Sequence, residues 1–293
     1  MKPLSVFTSI LLLAASSLVL LGIFAVATFM TLPDVRELER CFTTSMYGVK
    51  LCPASENYVR LNEISPYVLH AVISSEDGAF YSHKGFDWHE IEESLNQNLR
   101  TGHIQRGGST LTQQLAKNAF LGKEKSFWRK LKEAYLAHGI ENHFSKNFIL
   151  EKYLNVVEFG PSLYGVKPAA NKYFHKSPSQ LGPLEAAYLA FLLPNPKVYS
   201  KSVRDGKLTP FARKSIGIIL RRMAAYGKIS SEAYQIAVAH IGDFPWSNVS
   251  FGGGGTPSFD LEISQPTSGI GNEPIEEENA LDEVLKEDEE NQD

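Results

Sequence analysis

The stretch Ser75-Glu76-Asp77-Gly78-Ala79-Phe80-Tyr81-Ser82-His83-Lys84-Gly85 sets two adjacent carboxylates beside two aromatic rings and one imidazole. Such surroundings tune a carboxylate. Burial and a neighbouring like charge raise its pKa, and a hydrogen-bond donor lowers it. A carboxylate tuned in this way can take a proton from a hydroxyl nucleophile. The plainer reading of the same residues is a capped turn with solvated acids, and the stretch by itself does not separate the two.

A second stretch runs Gly107-Gly108-Ser109-Thr110-Leu111-Thr112-Gln113-Gln114-Leu115-Ala116-Lys117-Asn118. Two glycines followed by hydroxyl residues leave backbone N–H groups free at a helix start, where an anion is favoured. Lys117 adds a mobile cation for phosphate oxygens. An ordinary capped helix accounts for the same residues, and the P-loop spacing G-x-x-x-x-G-K-[ST] is absent. The third stretch is Arg129-Lys130-Leu131-Lys132-Glu133, in which Arg129 and Glu133 share a helix face at i, i+4. As an exposed ion pair that contact is worth under about 1 kcal/mol.

The elements that must position these residues read as mainly α. Ile64–Ser75 carries apolar Ile64, Val68, Leu69, Val72 and Ile73 near the i, i+4, i+8 pattern. It delivers Glu76 where a helix opens into a loop. Phe127–Phe144, Phe148–Val157 and Arg213–Tyr226 are further predicted helices. Leu184–Leu193 is apolar nearly all round, which predicts burial, and Pro194-Asn195-Pro196 stops it. Alternating β-branched residues are scarce, and no internal repeat is present.

No charge occurs between Pro3 and Pro33, and Leu4–Met30 is a run of 27 mostly apolar residues. About 20 suffice to span a bilayer core. Ala25-Val26-Ala27 has the small-x-small form of a signal cleavage site, but a signal's apolar region is only about 7–15 residues long. The expectation is an uncleaved anchor with Lys2 inside and the body outside. Export would put Cys41 and Cys52 in an oxidising compartment, where they are expected to pair.

The 293 residues carry a net charge of −4, which averages two unlike parts. From Thr256 onward there are 13 acidic residues and one lysine, whereas the first 255 residues carry +8. A basic body suggests an anionic partner. The Gly252–Gly255 break precedes a tail that has the composition of a disordered segment. The expected organisation is a stub and anchor over 1–33, a linker over 34–60, a catalytic domain over 61–245 and the break and tail over 246–293.

Taken together and in order, these stretches resemble the peptidoglycan glycosyltransferases of glycosyltransferase family 51. Glu76-Asp77-x-x-Phe80-x-x-His83-x-Gly85 is similar to the family's first motif. Gly108-Ser109-Thr110-x-Thr112-Gln113-Gln114-x-x-Lys117-Asn118 is similar to the second, and Arg129-Lys130-x-x-Glu133 to the third. Lys146-x-x-Ile149-Leu150-x-x-Tyr153-Leu154-Asn155 is similar to the fourth. In the last motif Ile219-Leu220-x-x-Met223 matches, but Arg213-Lys214 lies two residues early. Lys167-Pro168 replaces a commoner acid–small pair.

The resemblance implies a lysozyme-like helical glycosyltransferase domain behind a single N-terminal transmembrane helix. It implies that lipid II is polymerised into β-1,4-linked glycan with inversion and release of undecaprenyl pyrophosphate. Glu76 would be the base. Lys117 and Arg129 would meet the pyrophosphate, with Glu133 orienting them or holding a divalent ion. Thr110, Gln114 and Asn118 would contact donor or acceptor, and Asp77, Phe80 and His83 would shape the pocket. No cofactor is required on this reading, and magnesium or manganese would sit at Glu133 if one is used. The partners are lipid II, the growing strand, the membrane and other cell-wall synthesis proteins, with no nucleic acid. The location is the bacterial inner membrane, with the N-terminus in the cytoplasm and the catalytic domain in the periplasm. No Ser-x-x-Lys occurs, and 67 residues after Tyr226 are too few for a transpeptidase domain, so a monofunctional enzyme is expected. A lytic muramidase would also use one glutamate but would not need Lys117 or Arg129. An inactive scaffold would show losses in the first motif, which is intact.

Overall fold

The computed structural model describes residues 3–101, 108–247, 249 and 251. Lys2, Gly107, the Gly252–Gly255 break and the acidic tail lie outside the described residues.

The apolar run forms helix α1, Pro3–Met30. Among the described residues it is the one helix long and apolar enough to cross a membrane. Ile10, Leu12, Leu13, Leu18 and Leu20 are all exposed along it. A helix with that surface needs an apolar surrounding. Its end meets the body where the Phe29 ring packs at a tilt against Tyr135, with ring centroids 5.2 Å apart.

The body is helical. Its first part comprises α2 (Pro66–Glu76), α3 (Trp88–Thr101), α4 (Leu111–Phe120), α5 (Phe127–His143) and α6 (Lys146–Val156). The remainder comprises α7 (Val166–Phe174), α8 (Pro183–Leu192), the short α9 (Pro196–Tyr199) and α10 (Lys201–Asp205), α11 (Pro210–Ala225) and α12 (Ser231–Ala239). Local chemistry sets many of the starts. The side chains of Thr110, Ser126, Ser145, Thr209 and Ser230 each accept a backbone N–H three residues on. Such caps satisfy donors that a helix start leaves open. Every residue of α8 is buried, as its all-round apolar sequence predicts, and α2 and α11 pack against it. On the other side α4 packs against α5 and α6.

Two small antiparallel hairpins complete the body. In one, β1 (Phe42–Thr43) pairs with β2 (Lys50–Leu51), Phe42 opposite Leu51. The Cys41–Cys52 disulfide closes this hairpin, with the two Cα atoms 4.3 Å apart. In the other, β3 (Glu158–Gly160) pairs with β4 (Leu163–Tyr164).

The linker expected over 34–60 is instead part of the body. Val35, Leu38, Leu51, Tyr58 and Val59 are buried in the main core, and Ser45 N–H donates to Ala119 O at the end of α4. Five apolar side chains scattered over 25 residues leave no periodic signal, yet each fills a gap between helices. Helices α3, α7 and α12 were not marked by periodicity either.

Candidate active site

Helix α2 ends at Glu76 because Asp77, with φ −161° and ψ 71°, turns out of the helix. Its carboxylate then organises the loop. Oδ1 lies 2.8 Å from His83 Nε2, and Oδ2 accepts the Leu111 N–H at 2.9 Å. Gly85 N–H points at His83 Nδ1 at 3.1 Å, so Nε2 carries the proton and donates to Asp77. Gly85 holds φ +92°, and a Cβ there would meet Glu141 Cγ at 3.2 Å, so glycine suits both the turn and the close approach. Its carbonyl accepts the Thr110 hydroxyl at 2.7 Å. The first motif is thereby fastened to the N-terminal turn of α4.

That fastening places Gln114 of α4 against the candidate base. Gln114 Nε2 donates to Glu76 Oε2 at 2.9 Å, and the fully buried Tyr153 of α6 donates its hydroxyl to Gln114 Oε1 at 3.0 Å. Burial pushes the Glu76 carboxyl up. The Gln114 hydrogen bond opposes that, Asp77 adds to it, and Lys117 opposes it. A carboxylate held more basic than usual suits a proton acceptor.

Lys117 stands one turn beyond Gln114 and is half-buried. Among the described residues its ammonium has no hydrogen-bond or ion-pair partner within the usual distances. Burial lowers its pKa, and the carboxylates of Glu133 and Glu76 oppose this while Arg129 and Lys130 reinforce it. Glu133 is itself 2% exposed. One of its carboxylate oxygens accepts Arg129 Nη1 and the other accepts Lys130 Nζ. Lys130 Nζ also donates to Ser109 Oγ at 2.8 Å, tying the third motif to the second. The result is the Glu133 carboxylate held by Arg129 and Lys130, with the Lys117 ammonium near enough to interact electrostatically with both Glu133 and Glu76.

Glu133 offers one carboxylate beside the cations, and magnesium held by one carboxylate would take its other ligands from water and a substrate's phosphates. In this structure both Glu133 oxygens accept from cations, Arg129 on one and Lys130 on the other. No group of three or more His, Cys, Asp or Glu suited to a metal occurs among the described residues.

Thr110, expected to contact donor or acceptor, is buried, as are Asp77 and Phe80, expected to shape the pocket. Phe80 is fully buried, Asp77 is 6% exposed with both carboxylate oxygens engaged inside the protein, and Thr110 caps α4. Lys146 Nζ covers the Phe80 ring at 4.5 Å and donates to Glu141 Oε1 at 2.7 Å. Asn118 is buried next to Lys117 on α4. Position in a motif signals that a residue is constrained, but whether it faces the cleft depends on packing. Tyr153, Lys130, Glu141 and Lys146 received no role from the sequence. Three of them lie within quoted motifs, and the contacts that give them roles span 3 to 39 residues.

The sequence has relatives among known proteins. The chain is 49% identical over 144 residues to a biosynthetic peptidoglycan transglycosylase of Aromatoleum aromaticum, covering 49% of this chain and 63% of that one. It is 42% identical over 170 residues to one of Dechloromonas aromatica, covering 58% and 72%. It is 45% identical over 153 residues to one of Acinetobacter baylyi, covering 52% and 68%. The aligned part thus spans about two thirds of these relatives. The family model described as transglycosylase matches residues 46–224, which takes in Glu76, α4, α5 and α6 and starts within the segment that packs against them. More than half of the chain is matched, with the buried carboxylate and its cations inside the match, and the chain belongs to the transglycosylase family.

Proposed function

We propose that this chain is a peptidoglycan glycosyltransferase that polymerises lipid II into β-1,4-linked strands. The observation that carries the reading is the pairing of a half-buried Glu76, its carboxyl pushed up, with the Lys117–Arg129–Lys130 cluster across α4 and α5. Glu76 takes the proton from the 4-hydroxyl of the acceptor's GlcNAc, a poor nucleophile at neutral pH without a base. The oxygen attacks the donor's anomeric carbon from the face opposite the leaving group, which inverts the configuration. The departing undecaprenyl pyrophosphate gains negative charge as its bond breaks. Lys117 and Arg129 stabilise that charge in a site with little water, where such contacts are strongest. Glu133 keeps Arg129 and Lys130 aimed. Hydrolysis of finished glycan would need one carboxylic acid but no cation cluster, so the cations favour transfer from a pyrophosphate donor.

The site works at a bilayer surface on this reading. α1 anchors the chain, with the catalytic domain on the periplasmic side of the inner membrane. Trp88, Leu95 and Leu99 of α3 and Phe127 of α5 are exposed apolar groups suited to a lipid boundary. Lipid II and the growing strand are the substrates, and other cell-wall synthesis proteins would be neighbours.

The test is to give the purified full chain labelled lipid II in detergent. Polymer of increasing length, with release of the lipid pyrophosphate, is the expected product. Intact lipid II after prolonged incubation, or shortening of preformed glycan, would overturn the reading.

A further inference from the structure

We propose that Tyr153 is a positioning residue for the base: its hydroxyl locks the Gln114 amide so that the NH2 end, not the oxygen, faces Glu76. This rests on the reading of Glu76 as the base. A glutamine amide has two ends of nearly equal shape and opposite hydrogen-bonding character. With one orientation Gln114 donates to the carboxylate, and with the other it sets an acceptor against an acceptor. Nothing in α4 itself selects between them. The acceptor-only Glu76 carboxylate favours the NH2 end, and the contact that fixes the other end comes from α6, 39 residues away in sequence, as the O–H of Tyr153 donating to Gln114 Oε1 at 3.0 Å. Gln114 Nε2 then donates to Glu76 Oε2 at 2.9 Å.

The Tyr153 ring is 0% exposed, and its neighbours Leu150 and Leu154 are equally buried, so its hydroxyl has a fixed place. Burial, with the Glu76 and Asp77 carboxylates adding to it, holds the phenol protonated far into the alkaline range. It therefore remains a donor at any pH at which the enzyme would work. The groups facing Glu76 are Asp77 from its own segment, Lys117 from α4 and Tyr153 from α6. From α11, Arg222 Nη1 reaches Ser74 O at 3.4 Å, two residues before the base. On α8, which also packs on α2, Glu185 is held by Lys176, and Tyr188 is neutral, its phenol pushed up by burial. Of these groups, only Tyr153 donates to Gln114.

Tyr153→Phe removes the hydroxyl and keeps the ring. The Glu76 carboxyl is titrated by carbon NMR in the full chain in detergent, with Glu76→Gln identifying the signal. The acidic limb of kcat/KM for lipid II polymerisation is measured alongside. Loss of the amide lock weakens the donor to Glu76, so both midpoints rise by about 0.5–1 pH unit. Gln114→Ala raises them as well, and adding Tyr153→Phe to it moves them no further, because the hydroxyl acts through Gln114. A Tyr153→Phe titration that overlays the wild type, or one shifted equally with and without Gln114, overturns the proposal. If Tyr153→Phe fails to fold, 3-fluorotyrosine at 153 keeps the ring and strengthens the donor. Its Glu76 midpoint must then fall, and an unmoved midpoint is equally fatal. A wild type that titrates as described but makes no polymer would refute the glycosyltransferase reading and leave the lock standing.

Discussion

The Leu111 backbone N–H donates to Asp77 Oδ2 at 2.9 Å, so the residue after the candidate base holds the first turn of the helix that carries Gln114 and Lys117. The other Asp77 oxygen takes His83, and the whole group is buried. Asp77→Ala therefore leaves a buried N–H and a buried imidazole N–H without an acceptor, at a cost of about 2–4 kcal/mol. Urea unfolding measures this. A loss under about 0.5 kcal/mol would show that water replaces the carboxylate without penalty.

Glu76→Gln is nearly isosteric and removes the proton acceptor. Polymerisation should fall at least ~10²-fold while the melting temperature stays within a few degrees of wild type. A mutant that polymerises lipid II at more than a tenth of the wild-type rate would place the base elsewhere.

Gly160→Ala tests packing remote from the chemistry. A Cβ at 160 would stand 2.2 Å from the Tyr173 hydroxyl, which donates to Phe159 O at 2.7 Å. The tyrosine must move and lose that bond, which costs roughly 2–4 kcal/mol. Calorimetry should show a melting temperature lower by roughly 5–15 °C, part of it regained when Tyr173→Phe is added. An unchanged melting temperature would contradict the close approach.

His70 carries a pH signature. It is 5% exposed on α2, and burial, with Lys228 assisting, pulls its pKa down to about 4 from the usual 6.5. The unfolded chain takes up this proton as pH falls below 6.5, whereas the folded chain does so only near 4. Folding stability is thus lost on acidification across that window, by about 3 kcal/mol in full. The stability difference between wild type and His70→Leu should shift by that amount between pH 7 and pH 4. A difference that stays constant with pH would remove His70 from the account.

Cys41 and Cys52 are bridged in the structure, and protein taken from cells should carry the same bond. Alkylation without reductant followed by mass spectrometry should find neither thiol free. Replacing both by alanine should cost up to about 3 kcal/mol, the chain-entropy value for so short a loop. Two alkylated thiols would count against the bridge and against an oxidising location together.

Some of this was legible without coordinates because it depends on neighbours in sequence. The apolar run of α1, the all-round apolar α8, the Ser and Thr caps and the i, i+4 pairing of Arg129 with Glu133 follow from spacing along one element. Motif order named Glu76, Lys117, Arg129 and Glu133 for the same reason. What only the tertiary structure decided is which of the motif residues face one another. Asp77, Phe80 and Thr110 went under the site, and segment 34–60 went into the core, because neighbouring helices bury them there. Tyr153 acquired a role only when α6 packed on α4. Periodicity tells which face of a helix is buried, but it carries no information on which side chain of a distant element fills the space opposite. That choice is made by close packing and by the need of each buried polar atom for a partner.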